Sequence, residues 1–135
     1  MTWLTGPALL LAVTFCVSSA MDKATLEVLY LQRTITPARG SSVKLSCDTH
    51  YDPEQCGLVH VVWRHLTKQN AELTDPNRYL TTVNETASDG NMRRRQVVTE
   101  ILELTTEDNG QYQCKAECES GETAMGHFIW IDVKG

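Results

Sequence analysis

The sequence predicts an all-β protein, built as an antiparallel sandwich or barrel. Three observations lead to this fold class. Apolar and polar residues alternate in several short runs, turn-forming residues separate these runs, and helical periodicity is scarce after residue 20. Period-two alternation is typical of strands that bury one face, and its repetition between turn signals is typical of sandwiches and barrels.

The alternating runs define the expected strands in chain order. Their inward sets are Leu26, Val28 and Tyr30; Val43, Leu45 and Cys47; Val59, Val61 and Trp63; Tyr112, Cys114 and Ala116; and Ile129, Ile131 and Val133. Turn-rich segments lie between them, namely "PARGSS" at 37–42, "DPEQCG" at 52–57, "TDPN" at 74–77, "SDGN" at 88–91 and "ESGE" at 119–122.

The first twenty residues, "MTWLTGPALLLAVTFCVSSA", contain no Asp, Glu, Lys or Arg. An apolar run from Ala8 to Val17 leads into small residues that end at Ala20, as in a signal-peptidase site. We therefore expect a signal peptide at 1–20 and one domain at 21–135, with a buried helix as the alternative for the first segment. The run is too short for a membrane span, and no second long apolar run follows.

Charge and cysteine usage narrow the function. A net charge of -5 disfavours a nucleic-acid partner, which needs a concentrated positive surface. Of the five cysteines, Cys16 lies in the expected signal peptide, which leaves Cys47, Cys56, Cys114 and Cys118. Four cysteines in a small exported domain favour disulfides, and their spacings do not favour a structural zinc site.

No constellation of catalytic residues is apparent. The histidines, His50, His60, His65 and His127, are scattered, and no motif places a nucleophile beside a base. No glycine-rich phosphate loop occurs either. We expect no enzymatic activity, no cofactor and no metal site.

A larger pattern spans nearly all of the expected domain. Its members are Gly40, Val43, Leu45, Cys47, Trp63, Leu104, Asp108, Gly110, Tyr112 and Cys114. This combination resembles the immunoglobulin superfamily. The resemblance implies a two-sheet Greek-key sandwich, of the variable (V) type or a closely related one.

The resemblance also implies a role for each signature residue. Trp63 on strand C would pack over an inter-sheet disulfide, and Tyr112 would occupy the tyrosine corner. Gly110 would permit the tight turn into strand F. Asp108 would pair with an arginine at the start of strand D, for which Arg78 is the candidate.

Arg95 is the rival partner for Asp108. It belongs to the run Arg93-Arg94-Arg95, which we expect to open strand E after a long D–E connection. A solvated strand start is one interpretation of this run, and a site for an anionic ligand is the other.

Two disulfides follow from the resemblance. A Cys47–Cys114 bridge between strands B and F would close 67 residues, worth roughly 4 kcal/mol in the chain-entropy model. Cys56 would lie in the B–C loop and Cys118 at the start of the F–G loop, at the same end of the sandwich. A Cys56–Cys118 bridge would either pre-order these loops for recognition or simply staple them.

A protein-binding surface is the functional expectation. On strands C, F and G, the residues of opposite parity to the core would face solvent; these are Val62, Arg64, Gln113, Lys115, Phe128 and Trp130. Exposed aromatic residues indicate an interface, because aromatic and Arg residues dominate binding hot spots. A one-residue change of register in strand G would instead place Phe128 and Trp130 in the core.

Asn84-Glu85-Thr86 is an N-glycosylation sequon, for which we expect a surface loop.

Within the superfamily, Glu107 to Cys118, "EDNGQYQCKAEC", is similar to the Ig-beta signalling chain of the B-cell antigen receptor.

The expected function is the ectodomain of an immune or adhesion receptor at the cell surface. A secreted ligand, decoy or structural binding protein is the alternative, since the sequence ends at Gly135, where strand G would end. The expected partner is another protein, immunoglobulin-like or cell-surface, in either a homodimer or a heterodimer.

Overall fold

The structure is a computed structural model that describes residues 25–135, so the expected signal peptide lies outside the described residues. The strands are β1 (Leu26–Leu29), β2 (Arg33–Ile35), β3 (Val43–Tyr51), β4 (Val59–His65), β5 (Ala71–Glu72), β6 (Tyr79–Ala87), β7 (Arg93–Ile101), β8 (Gly110–Cys118), β9 (Thr123–Met125) and β10 (Ile129–Ile131). The helices are α1 (Pro53–Cys56) and two 3₁₀ turns, η1 (Leu66–Lys68) and η2 (Thr106–Asp108).

These strands form two sheets, which confirms the predicted all-β sandwich. A four-stranded sheet has the order β1-β3-β7-β6, and a six-stranded sheet has the order β2-β10-β8-β4-β5 with β9 also paired to β8. All pairings are antiparallel except β2 with β10. β3, β4 and β8 correspond to strands B, C and F.

One short strand, β5, lies between β4 and β6 in the described part of the chain. The V type has two strands there, C′ and C″. The V-type assignment therefore stays a prediction.

The main core lies between the sheets and follows the predicted alternation. Its fully buried members include Leu45, Cys47, Trp63, Val97, Ile101, Leu104, Tyr112, Cys114, Ile129 and Ile131. The Cys47–Cys114 disulfide crosses from β3 to β8 at the centre of this cluster. Because the inward residues of both sheets meet here, the bridge is shielded from solvent.

A second apolar cluster closes one end of the sandwich around the Cys56–Cys118 disulfide. The sequence predicts only a loop at "DPEQCG", and this prediction is wrong, because α1 forms there. Asp52 caps the helix by accepting a hydrogen bond from the Glu54 amide (3.0 Å), and Pro53 occupies the first turn. Both residues favour a helix start, which the loop interpretation overlooked.

The connection between β6 and β7 is a short turn at 88–92, not the long D–E connection expected from the sequence. Strand β6 runs to Ala87, so strand D is longer than the sequence pattern indicated. β7 begins at Arg93, as predicted.

Candidate protein-recognition face

A β-bulge in the last strand determines which of its side chains face solvent. Tyr112 pairs with Ile129, and Lys115 pairs with Met125. Between these pairs, two residues of β8 oppose three residues, 126–128, on the other strand. The extra residue shifts the register by one, as bulges do. As a result, Ile129 and Ile131 point into the core and Trp130 points out.

Tyr30 occupies the gap that the bulge opens. Its hydroxyl donates to the carbonyl oxygen of His127 and accepts from the Cys114 amide (3.0 Å). Its ring packs on Trp63, with 4.9 Å between ring centroids. Burial, partly offset by the hydrogen bond from Cys114, raises the pKa of the Tyr30 phenol, so the hydroxyl keeps its proton. The Tyr30 hydroxyl thus supplies hydrogen-bond partners for the Cys114 amide and the His127 carbonyl, two backbone groups at the bulge.

Gly126 is required at the bulge because the Tyr30 ring lies directly against its backbone. A Cβ atom added there would lie 2.1 Å from the Tyr30 Cε1 atom, closer than packed atoms approach. Any larger residue at this position would displace the ring.

The bulge leaves three large apolar side chains on the outer surface of the six-stranded sheet. Phe128 is 39% exposed, Trp130 is 46% exposed and Met125 is 51% exposed. We call the surface formed by Arg64, Lys115, Met125, Phe128 and Trp130 the aromatic face. Met125 was not among the residues expected on this face; its exposure follows from its pairing with the outward-facing Lys115, which the sequence pattern does not reveal.

Arg64 links the strands of the aromatic face. Its Nη2 atom donates to Gln113 Oε1 (3.3 Å) and lies 3.6 Å from the sulfur of Met125. Gln113 Nε2 donates in turn to the Gly126 carbonyl (3.0 Å). These contacts hold the Arg64 guanidinium across three neighbouring strands.

Two residues expected on the exposed face are buried, which corrects the prediction. Gln113 has only 8% exposure because both ends of its amide are used in hydrogen bonds at the bulge. Val62 also has 8% exposure. The chain after β5 continues beside β4, where the Leu73 amide donates to the Trp63 carbonyl (3.0 Å), and Val62 lines a cleft with Leu73.

At the Cys56–Cys118 end, the two disulfide-linked loops also share backbone hydrogen bonds. The Glu119 amide donates to the Leu58 carbonyl (2.8 Å), and the Ser120 amide donates to the Cys56 carbonyl (3.1 Å). Leu58 is left 77% exposed on this paired tip. The disulfide therefore fastens loops that are also joined along their backbones.

At the opposite end, Asp108 organises the turn that enters β8. Both carboxylate oxygens accept from Arg78 Nη2 (3.0 and 2.9 Å), and one also accepts from the Thr105 amide (2.9 Å). The Tyr112 hydroxyl donates to the Asp108 carbonyl (2.6 Å), which is the tyrosine-corner contact. Arg78, not the rival Arg95, is thus the partner of Asp108.

His65 lies buried beside this corner. Its ring stacks on Tyr112 with 4.2 Å between centroids, and its Nε2 atom lies 3.2 Å from the Asn109 carbonyl oxygen. Burial lowers the pKa of His65, although the contact with Asn109 opposes this effect. Gly110 approaches so closely that a Cβ atom there would lie 2.7 Å from His65 Nε2, and its φ of +139° also favours glycine.

The three arginines of the run pair with two carboxylates. Arg93 and Arg95 each donate to Glu85 (2.9 and 2.7 Å), and Arg94 donates to Asp48 (2.8 Å). Burial by itself raises the pKa of the Glu85 carboxyl, but hydrogen bonds from these arginines and from Tyr51 outweigh it, and the pKa falls below its usual value. Each guanidinium has a carboxylate partner, although Arg93 and Arg95 share one, and this pairing favours the solvated strand start over an anion site.

Asn84 is exposed, but it lies within β6 and not in the loop that the sequence predicted. The pattern misled because β6 is polar on both faces along most of its length.

Within residues 25–135, no three His, Cys, Asp or Glu side chains are grouped as metal ligands. The same residues include no helix with the length and hydropathy that a membrane span requires.

Comparison with known families agrees with this geometry. A family model described as the immunoglobulin domain matches residues 33–126, more than half of the chain. The chain belongs to the immunoglobulin-domain family. No curated protein matches it. Immunoglobulin domains are generally non-enzymatic and commonly mediate contacts between proteins, and two disulfides suggest an extracellular or secreted setting.

Proposed function

We propose that this immunoglobulin domain recognises another protein through the aromatic face, as the ectodomain of an immune or adhesion receptor. The observation that carries the proposal is the pair Phe128 and Trp130, which the bulge holds outward with 39% and 46% exposure. Large aromatic side chains grouped on one surface are uncommon unless a partner covers them.

The composition of the aromatic face supports a protein partner. Aromatic residues, Met and Arg are the types enriched in protein interfaces, and all three are present. The backbone at Trp130 is held in place because β10 pairs with strands on both sides, β2 and β8. An ordered backbone loses little conformational entropy on binding, so more of the contact energy contributes to affinity.

A depression of about 520 Å³ lies beside Trp130 and offers room for a side chain of the partner. Its lining residues are Thr34, Asn109, Gly110, Trp130, Ile131 and Asp132. An interface centred on Trp130 would therefore combine a protruding aromatic residue with an adjacent recess, the arrangement typical of hot spots.

Binding of the multimerised domain to cells tests this proposal. We expect Trp130→Ala to weaken binding at least about tenfold, the effect of removing a moderate hot spot. Leu80→Ala is the matched control, because Leu80 is similarly exposed (51%) but lies on the other sheet. Equal binding by both variants would contradict the proposal, and a collapse of secreted yield for Trp130→Ala would assign that residue a structural role.

A soluble ligand, decoy or structural binding protein would use the same face, so binding alone does not separate it from a receptor. The native transcript beyond the codon for Gly135 would distinguish a soluble protein from a receptor. An apolar span of about 20 residues supports a receptor, and an immediate stop codon supports a soluble protein. A tail with tyrosine signalling motifs would support the narrower role of a B-cell-receptor accessory chain, which rests only on the resemblance of residues 107–118.

A further inference from the structure

β6 is the long free edge of the sandwich. Its nine residues pair with β7 in continuous register, from Tyr79 opposite Ile101 to Ala87 opposite Arg93. Within residues 25–135, no strand pairs with its other side. The other edge strands have only two to four residues: β1, β2, β5 and β9. A free edge exposes N–H and C=O groups that can pair with another chain, and long edges are the most hazardous.

The strand has few of the devices that usually protect an edge. Its sequence, "YLTTVNETA", contains no Lys, Arg, Pro or Gly, and the continuous register excludes a bulge. Its one charged residue, Glu85, is neutralised by Arg93 and Arg95. Leu80 and Val83 are 51% and 56% exposed. A β-prone segment with little free charge is the kind that associates through its backbone.

The glycosylation sequon lies within this strand. Asn84 is opposite Gln96, whereas its neighbour Val83 is opposite the buried Val97, so the Asn84 side chain points to the outer surface of the four-stranded sheet. We propose that Asn84 carries an N-linked glycan, and that this glycan prevents β6 from pairing with β6 of a second copy of the chain.

The position of the glycan makes such pairing sterically unfavourable. Neighbouring strands lie about 4.8 Å apart, and directly opposed side chains have Cβ atoms about 5 Å apart. An added strand would therefore place a side chain beside Asn84, in the space that the first sugar occupies. The aromatic face belongs to the other sheet, so the glycan would leave it accessible.

The test compares glycosylated and unglycosylated forms of the full chain. The wild-type chain is secreted from a eukaryotic host, and intact mass with and without glycosidase shows whether Asn84 is occupied. Asn84→Gln and Thr86→Ala each remove the sequon by a different change. The wild-type sequence made in a host without N-glycosylation supplies the bare strand with no substitution at all.

We expect light scattering to give a monomer mass for the glycosylated chain and a concentration-dependent dimer for each bare form. Adding Thr82→Lys to Asn84→Gln should restore the monomer, because a charge on the exposed edge opposes pairing. Two results would overturn the proposal. One is an unoccupied Asn84 in the secreted chain, and the other is a bare chain that remains monomeric over the same concentrations.

Discussion

Tyr30→Phe is the most direct test of how the bulge is held. The substitution keeps the ring on Trp63 and removes only the hydroxyl, which joins the Cys114 amide to the His127 carbonyl. Both backbone groups then lose their partner. The bulge determines the outward direction of Phe128, so the same substitution tests the support of the aromatic face.

The expected loss of stability can be worked out from the environment of each group. Cys114 is fully buried, so its unpaired N–H costs about 1–3 kcal/mol. His127 is exposed, and its carbonyl recovers a hydrogen bond to water at little net cost, roughly 0.5 kcal/mol. The total is about 2 kcal/mol, which corresponds to a decrease in Tm of roughly 8 °C for a domain of this size.

Calorimetry and amide hydrogen exchange measure this effect, with Tyr79→Phe as the matched control. Tyr79 is also half-buried, but its hydroxyl makes no hydrogen bond among the described residues. We expect the Tm of the Tyr79→Phe variant to differ from that of the wild type by less than about 1 °C, as for most substitutions that break no buried contact. The Cys114 amide should exchange faster in Tyr30→Phe and be unchanged in the control.

Equal Tm values for the two variants would refute the reasoning. So would a Cys114 amide that keeps its wild-type protection in Tyr30→Phe, since the hydrogen bond that it donates to Tyr30 would then contribute nothing to the order of the bulge.

Two further predictions concern the opposite end of the sandwich. Asp108→Asn should lower the free energy of unfolding by about 2–3 kcal/mol, because Arg78 loses its buried carboxylate partner. The loss is moderate because the Arg78 guanidinium remains partly solvated. An unchanged midpoint in chemical denaturation would contradict this prediction. His65 has a pKa below its ordinary value near 6.5 because it is buried, so the unfolded state takes up the proton first as pH falls. The contribution of the neutral, buried His65 to the free energy of unfolding is complete above about pH 6.5 and decreases as the pH falls below that value. Thermal melts should therefore show a smaller loss of Tm between about pH 7 and pH 5 in His65→Gln than in the wild type, and parallel losses would exclude the effect.

The cysteine pairs, Trp63 and the turn around Asp108 lie in the structure where the family pattern in the sequence expects them. Local rules explain this agreement. Side chains in a strand alternate between two faces, and the signature residues are spaced by that period, so the sequence alone identifies the sandwich and most of its core.

Burial on the aromatic face was less predictable. Parity correctly indicated the outward directions of Phe128 and Trp130, but it also indicated exposure for Val62 and Gln113, which are buried. Alternation reports the direction of a side chain and not what covers it, because the covering groups come from other parts of the chain.

The sequence by itself determined the all-β class, the sandwich and the residues that join its sheets. Only the tertiary structure decided the register of the last strand, the place of Asn84 on a free edge and the role of Tyr30. Tyr30 and His127 are 97 residues apart, so no window of sequence contains both. A bulge needs a partner for its interrupted backbone groups, and that partner becomes available only when the chain has folded.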